Sequence, residues 1–288
     1  MKHAYLIMAH NEPEILKILI ENIDDERNDI FVHIDRKADF DGSDMKTDRA
    51  GLQILEQRID ARWGDISLVH IEYLLFETAH KKEKYAYYHL ISGVDLPIKS
   101  QDYIHDFCRQ NFGKEFVGFV PDKYAKDELR SKVGVYHLFP RHYKTNSVII
   151  KILRTITKNV QLLFGIRRNK NIIFKKGCQW CSITNNLVEY LISNKISIIP
   201  LYTYTFCPDE IFIPTACWNS PYRENIYNIY NGYVSCKRYV NWENNQLRPI
   251  DDNDLPVIMS SDSWFARKFS IEHIGTIKML LRTININS

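Results

Sequence analysis

Two short apolar runs separated by one amphipathic segment constrain this fold more than any other feature of the chain. HAYLIMA (3–9) predicts a buried strand, and IFVHID (30–35) predicts a second one. Between them apolar residues recur at helical spacing, and Asn11 with Glu14 forms the pattern of a capping box at the helix start. Because the whole strand, helix and strand unit fits within residues 3–35, we predict that the two strands are parallel.

Ligands of parallel α/β sheets bind beyond the carboxyl ends of the strands. This rule places Ala9, His10, Asn11 and Asp35 near a binding site, because each ends or follows a predicted strand. Asp35 is either a partner for a ribose or base or a turn residue, and spacing alone leaves both interpretations open. No G-x-G-x-x-G follows the first strand and no G-x-x-x-x-G-K-[ST] occurs, which disfavours a dinucleotide-binding or P-loop protein.

The same pattern continues along the chain and predicts an α/β core. The further predicted elements are a turn at Trp63 and Gly64, a helix over 67–80, a strand over 85–92, a turn over 93–97, a helix to about 111 capped by Ser100, and a strand over 116–120.

Composition narrows the class of protein. Over 288 residues, 45% are hydrophobic and 25% charged, as in ordinary globular proteins, and the net charge of +3 is too small to predict a nucleic-acid partner. Six cysteines in a chain of this size favour a reduced, cytoplasmic protein, and one C-x-x-C (Cys178 and Cys181) is a poor basis for a zinc site. The first residues lack the pattern of a signal peptide, and no apolar run predicts a membrane span.

Seven segments resemble the core-2/I-branching glycosyltransferase family, which includes protein O-xylosyltransferases. They occur in the family's order and are AYLIMAHNEP, IFVHIDRKAD, RWGDISLVHIEYLL, LISGVDLPIKS, GCQWCSIT, FCPDEIF and WFARKF. The resemblance implies an α/β fold of the GT-A type that forms a single domain over residues 1–288. It assigns residues 1–120 to the nucleotide-sugar-binding half and residues 121–288 to the acceptor-binding and catalytic half.

The resemblance also implies an activity. It predicts inverting transfer of a sugar, GlcNAc or xylose, from a UDP-sugar to a hydroxyl of a glycan, a lipid-linked glycan or a peptide. No divalent metal or other cofactor is expected, because SGVDLP carries Asp95 alone where metal-dependent enzymes of this fold have Asp-x-Asp. A non-catalytic glycan- or nucleotide-binding module on the same fold is the alternative hypothesis.

Two charged motifs carry the implied chemistry. Glu210 in CPDE matches the family's general base, and Asp209 beside it is interpreted as an acid that complements a helix start at Pro208. Lys268 in FARKF matches the lysine that holds the donor diphosphate, with either Arg248 or Arg238 as its partner.

The remaining expected contacts follow the same resemblance. For the donor they are Ala9, Asn11, Asp35, Arg62, Trp63 and Asp95. For the acceptor they are Trp180, Trp242, Glu128, Arg130 and Lys132.

One basic segment stands apart from these motifs. SVIIKILRTITKNVQLLFGIRRNK (147–170) has six basic residues and no acid, and its apolar residues recur at helical spacing. This pattern is typical of an amphipathic helix at a membrane surface, and also of a helix packed on the core with a solvated basic face. The first interpretation predicts peripheral contact with the inner membrane surface, which would suit a lipid-linked acceptor.

Overall fold

The fold is built around one five-stranded sheet. The computed structural model describes residues 1–144, 146–243 and 246–286. The sheet has the order β3-β2-β1-β4-β6, in which β1 to β4 are parallel and β6 is antiparallel to β4. Its strands are β1 (His3–Ala9), β2 (Asn28–Ile34), β3 (Gly51–Ile54), β4 (Tyr87–Ser92) and β6 (Cys181–Thr184). The predicted parallel pairing of the first two strands is confirmed.

Alternate residues of the central strand β1 enter two different hydrophobic clusters, one on each face of the sheet. Tyr5 and Ile7 pack with helix α1 (Pro13–Asn22), whereas Leu6 and Met8 pack with helix α2 (Ser67–Lys82). Both faces are therefore buried, which explains why β1 and β2 are apolar runs rather than alternating patterns.

A second, three-stranded sheet has the order β5-β10-β7. Its strands are β5 (Asp95–Pro97), β7 (Arg238–Val240) and β10 (Phe265–Arg267). The prediction of a simple turn over 93–97 was therefore wrong for residues 95–97, which pair with β10. Both sheets combine strands from the two predicted halves of the chain; the roles given to residues 1–120 and 121–288 stay predictions.

Residues 116–120 do not form the predicted strand. Phe116 makes a single bridge to Ser182, and the chain then passes close to other backbone at Gly118. A Cβ on Gly177 would lie 1.8 Å from the carbonyl oxygen of Gly118, so this approach depends on glycine. The antiparallel edge strand of the main sheet is β6 instead.

The first helix begins later than the capping pattern predicts. Pro13 occupies its first turn, and Glu12, with a φ of 53°, is the residue at its N-cap, so Asn11 and Glu14 do not form a capping box. The Glu12 carboxylate instead accepts hydrogen bonds from Ser270 Oγ (2.7 Å) and Ile271 N (3.1 Å). A contact across 258 positions of sequence thus overrides the local signal.

Other helix predictions hold. Ser100 caps α3 (Gln101–Gln110) by accepting from Tyr103 N at 3.2 Å. Pro208 begins a 3-10 turn, Pro208–Glu210, that leads into α8 (Phe212–Trp218).

The remaining α-helices are α4 (Asp122–Val133), α5 (Val148–Leu163), α6 (Asn185–Ser193), α7 (Lys195–Tyr202), α9 (Gly232–Cys236), α10 (Leu255–Ser260) and α11 (Ile274–Ile286). A short ribbon pairs β8 (Trp242–Glu243) with β9 (Gln246–Leu247). Within the described residues, no helix combines the length and apolarity needed to cross a bilayer.

Candidate active site

A cavity of about 710 Å³ opens at the carboxyl edge of the parallel strands. Residues at the ends of β1, β2 and β4 contribute to its wall, as the predicted βαβ unit requires. The wall residues used below are Ala9, His10, Asp35, Lys37, Arg62, Trp63, Arg141, Lys144, Gln179, Trp180, Asp209 and Arg267.

The strand ends form a hydrogen-bonding wall suited to a nucleoside. Asp35 N donates to Ala9 O at 2.8 Å, which fixes the two strand ends side by side. The Asp35 carboxylate accepts from the backbone N (2.8 Å) and the ammonium (3.1 Å) of Lys37. Asn11 is exposed and is not one of the wall residues, whereas its neighbour His10 is; the predicted contact of Asn11 stays a prediction.

One rim of the cavity is basic and aromatic. The buried carboxylate of Asp60 pairs with Lys37, Arg62 (2.8 Å) and Arg141 (3.0 Å). These contacts, led by the hydrogen bond from Lys37, hold the pKa of Asp60 well below its usual range. Because one carboxylate organises several cations, the rim keeps an excess of positive charge beside the cavity.

Trp63 lies on this rim next to Tyr143 and Lys144, and no sequence pattern predicted this contact. Its ring centroid is 5.0 Å from that of Tyr143, and the Lys144 ammonium lies 5.1 Å from its ring centroid. Arg62 and Trp63 both belong to the cavity wall, and their predicted contacts with the donor stay predictions.

Asp209, interpreted from sequence as a capping acid, belongs to the cavity wall. Burial, reinforced by the charge of Glu210, raises its pKa to about 7. Behind it lies the fully buried Glu72, which accepts from Gln179 Nε2 at 2.8 Å. Burial, with the nearby charge of Asp209, raises the pKa of Glu72 well above its usual value. This acidic patch could not be predicted from the sequence, because Glu72 resembles any polar position of an amphipathic helix.

Glu210 points to a different place. Its side chain is 39% exposed and pairs with Lys132 (3.0 Å) and Lys176 (3.5 Å). Although burial acts in the opposite direction, the carboxylates of Glu210 and Glu128 raise the pKa of Lys132 above its usual value. The Glu210 carbonyl accepts from Gly177 N at 2.8 Å, which ties the motif to the glycine contact described above. Glu210 therefore lies beside the cavity, next to its wall residue Asp209, with access to solvent.

The predicted acceptor residues fall into three groups. Glu128 and Lys132 pair at 2.7 Å and surround Glu210, whereas Arg130 is exposed on the same helix. Trp180 is buried in the cavity wall and stacks under the guanidinium of Arg267 at 4.5 Å. Trp242 is exposed in a separate, shallow depression.

Neither predicted arginine lies in the main cavity wall. Arg238 is buried in the core, where it donates to the carbonyl oxygens of Cys236 and Cys181. Arg248 lies in the shallow depression, and its guanidinium is paired with Asp251, Asp254 (2.8 Å) and Glu243 (3.1 Å). Three carboxylates around one guanidinium make it a poor cation for a diphosphate.

Arg267 is, with Arg141, one of two arginines that the structure adds to the predicted wall of the cavity. It ends β10, and its Nε lies 3.3 Å from Asp95 Oδ1. Lys268, the predicted diphosphate lysine, follows it and is half-buried just outside the wall. Partial burial lowers the pKa of the wall residue His10, and the charges of Arg267 and Lys268 lower it further, so both cations act on the cavity. The FARKF motif could have indicated Arg267, because this residue directly precedes the predicted lysine, Lys268.

Asp95 lies next to Arg267 and interacts with it. It is buried, and its Oδ2 accepts from Ser92 N at 3.0 Å while Oδ1 faces Arg267. Burial raises its pKa above the usual value, and Arg267 opposes that effect. Asp95 is not one of the cavity wall residues, and its predicted contact with the donor stays a prediction.

A mixed α/β fold with a cavity at the carboxyl edge of a parallel-rich sheet is an architecture that nucleotide-binding enzymes share. Within this class, the model of the family Core-2/I-Branching enzyme matches residues 3–276, and the chain belongs to that family. Its members are glycosyltransferases, so the predicted family, GT-A-type fold and general activity are confirmed. Among curated proteins, none matches this chain.

Proposed function

We propose that this glycosyltransferase moves a sugar, GlcNAc or xylose, from a UDP-sugar to a hydroxyl of a glycan, a lipid-linked glycan or a peptide. The transfer inverts the anomeric centre and needs no divalent metal. The observation that carries the proposal is the cavity itself. It combines a hydrogen-bonding wall at Ala9 and Asp35 with cations at Arg62 and Arg267, as a nucleoside and its diphosphate require.

In this proposal Glu210 is the general base. Its carboxylate is solvent-accessible, lies next to the cavity residue Asp209, and is held by Lys132 and Lys176. An acceptor hydroxyl beside Glu210 gives up its proton to the carboxylate as its oxygen attacks the anomeric carbon. The new carbon–oxygen bond forms on the face opposite the departing UDP, which accounts for inversion. Asp209, within the wall, contacts the donor sugar.

The leaving diphosphate is stabilised by fixed cations. Arg267 presents a guanidinium inside the cavity, and Lys268 adds a second positive charge from just outside its wall. Preorganised cations of this kind stabilise charge that develops on a leaving group. Asp95, which would be the natural metal ligand in this segment, is occupied by Ser92 N and Arg267. That engagement supports the metal-independent mechanism.

The test of the proposed function is turnover in chelator. We expect released UDP to accumulate from UDP-GlcNAc or UDP-xylose with excess EDTA present, and UDP to bind with the same affinity with and without EDTA. Calorimetric titration of UDP measures binding, and a coupled assay for UDP measures transfer to glycan, lipid-linked and peptide acceptors. Activity that appears only with magnesium or manganese would contradict the metal-independent mechanism. UDP binding without turnover on any donor would favour a binding module.

The role of Lys268 gives a second prediction. Lys268→Ala should weaken the binding of UDP by about 10-fold or more, because a charge-assisted contact to the diphosphate is lost. Uridine, which has no phosphate, should keep its affinity. Lys17→Ala, at an exposed position of α1, is the control and should change neither ligand. Equal losses of UDP and uridine would show that Lys268 acts through the fold of the 267–268 segment.

A further inference from the structure

Helix α5 is attached to the protein by its polar side and presents its apolar side to solvent. Gln161 is its buried residue, and its side chain exchanges hydrogen bonds with the backbone N (2.7 Å) and O (2.9 Å) of Tyr136. Lys158 Nζ donates to Ser131 Oγ at 2.8 Å, and Arg154 stacks over Tyr143 at 4.0 Å. Because these positions are spaced by four and three residues, they share one face of the helix.

The opposite face carries the apolar residues, and it is exposed. Ile149 is 71% exposed, Leu163 81% and the following Phe164 74%. Further exposed members are Val148, Ile152, Leu153, Ile156 and Val160. A helix on the surface of a soluble monomer normally has the reverse orientation, with its apolar stripe against the core. An exposed apolar surface of this length therefore indicates a binding partner.

The positive charge of residues 147–170 indicates which kind of partner the exposed apolar face binds. Residues 147–170 contain six basic residues and no acid, and Lys151, Arg167 and Lys170 are exposed. No residue of 147–170 is acidic, so a second copy of this segment would offer these cations no carboxylate partner. A surface that combines hydrocarbon with negative charge matches both properties of α5, and an anionic lipid bilayer is such a surface.

The exposed helix is continuous with the mouth of the cavity. Arg154 of α5 lies over the Tyr143 ring, Tyr143 packs against Trp63 at 5.0 Å, and Trp63 lines the cavity. Lys144 and Trp63, which are in cation–π contact, stand on the same rim. A bilayer under α5 would therefore lie next to the opening through which an acceptor enters.

We propose that α5 and the basic segment that follows it dock this protein on an anionic phospholipid surface, with the cavity mouth beside the headgroups. This inference goes beyond the proposed function and does not depend on it, since lipid binding needs neither donor nor acceptor. It adds that an acceptor presented at a lipid surface is favoured over a free one.

The test is sedimentation with vesicles at moderate salt. The full chain should bind vesicles of equimolar phosphatidylcholine and phosphatidylglycerol and bind phosphatidylcholine alone at least about 10-fold more weakly. Lys151→Glu/Arg167→Glu/Lys170→Glu should lower binding to the anionic vesicles by at least about 10-fold. Ile149→Gln/Leu163→Gln/Phe164→Gln should lower it by a similar factor, because the inserted apolar surface is lost.

A matched control distinguishes an effect of the α5 surface from an effect of the net charge of the protein. Lys17→Glu/Lys46→Glu/Lys278→Glu reverses the same number of exposed basic residues, on segments whose apolar residues join the hydrophobic cluster of α1. This variant should bind the anionic vesicles as the unmodified protein does. Thermal unfolding and UDP titration check that every variant is folded.

Three outcomes would overturn the proposal. In the first, the α5 charge variant and its control bind the anionic vesicles equally. In the second, the unmodified protein does not distinguish the two vesicle compositions. In the third, light scattering shows a dimer that the Ile149/Leu163/Phe164 variant loses, with no vesicle binding, and α5 is an interface between two copies.

Discussion

Glu210→Gln should leave UDP binding intact and reduce sugar transfer by about 10²–10⁴-fold. Gln keeps the size of the side chain and an oxygen that accepts from Lys132, and the ion pair it loses is partly exposed, which limits the cost in stability to about 1 kcal/mol or less. It cannot take the proton of the acceptor hydroxyl, which raises the barrier by roughly 3–5 kcal/mol. Steady-state rates with saturating donor and acceptor measure this effect in kcat.

Asp209→Asn is the matched control on the neighbouring carboxylate. Because Asp209 lies in the cavity wall, its loss should raise KM for the donor more than it lowers kcat. The pKa of about 7 at Asp209 gives a second discriminator. If Asp209 were the base, the rate would rise steeply with pH up to about 7 and Asp209→Asn would be inactive. An active Glu210→Gln enzyme together with an inactive Asp209→Asn enzyme would transfer the role of base to Asp209.

The second large effect concerns the fold around that motif. Gly177→Ala should destabilise the protein by about 3 kcal/mol or more, because its Cβ would stand 1.8 Å from the Gly118 carbonyl oxygen and 2.9 Å from Pro214. The backbone at Gly118 cannot move aside as the end of a flexible side chain can. Gly177 N also donates to the Glu210 carbonyl, so any folded fraction should have a displaced base and low activity. Thermal unfolding should show a Tm lower by roughly 6–12 °C.

Gly275→Ala is the control for this change. Gly275 lies in the first turn of α11, and a Cβ there would meet no atom within 4 Å. Alanine is a better helix former, so we expect unchanged or slightly higher stability, up to about 1 kcal/mol. If the two variants unfold at the same temperature, then the close approach of Gly177 and Gly118 does not limit stability.

The sequence by itself determined several local elements and the family. The βαβ unit, the Ser100 cap and the helix start at Pro208 could be predicted, because each depends on periodicity or capping within a few residues. The position of the cavity followed from the parallel strands alone, since the carboxyl ends of β1 and β2 meet at one edge. Motifs in sequence order were sufficient for the core-2/I-branching family.

Only the tertiary structure decided which side chains reach the cavity. Asp209 and Glu210 are neighbours in sequence, yet one lies in the wall and the other pairs with Lys132, because the turn at Pro208 directs them apart. Arg248 fitted the motif order, but the carboxylates of three neighbouring residues pair with its guanidinium. For α5, periodicity predicted an amphipathic helix but could not tell which face meets the protein. The hydrogen bonds of Gln161 to Tyr136, 25 positions away, set that orientation, and contacts between distant segments leave no trace in a local pattern.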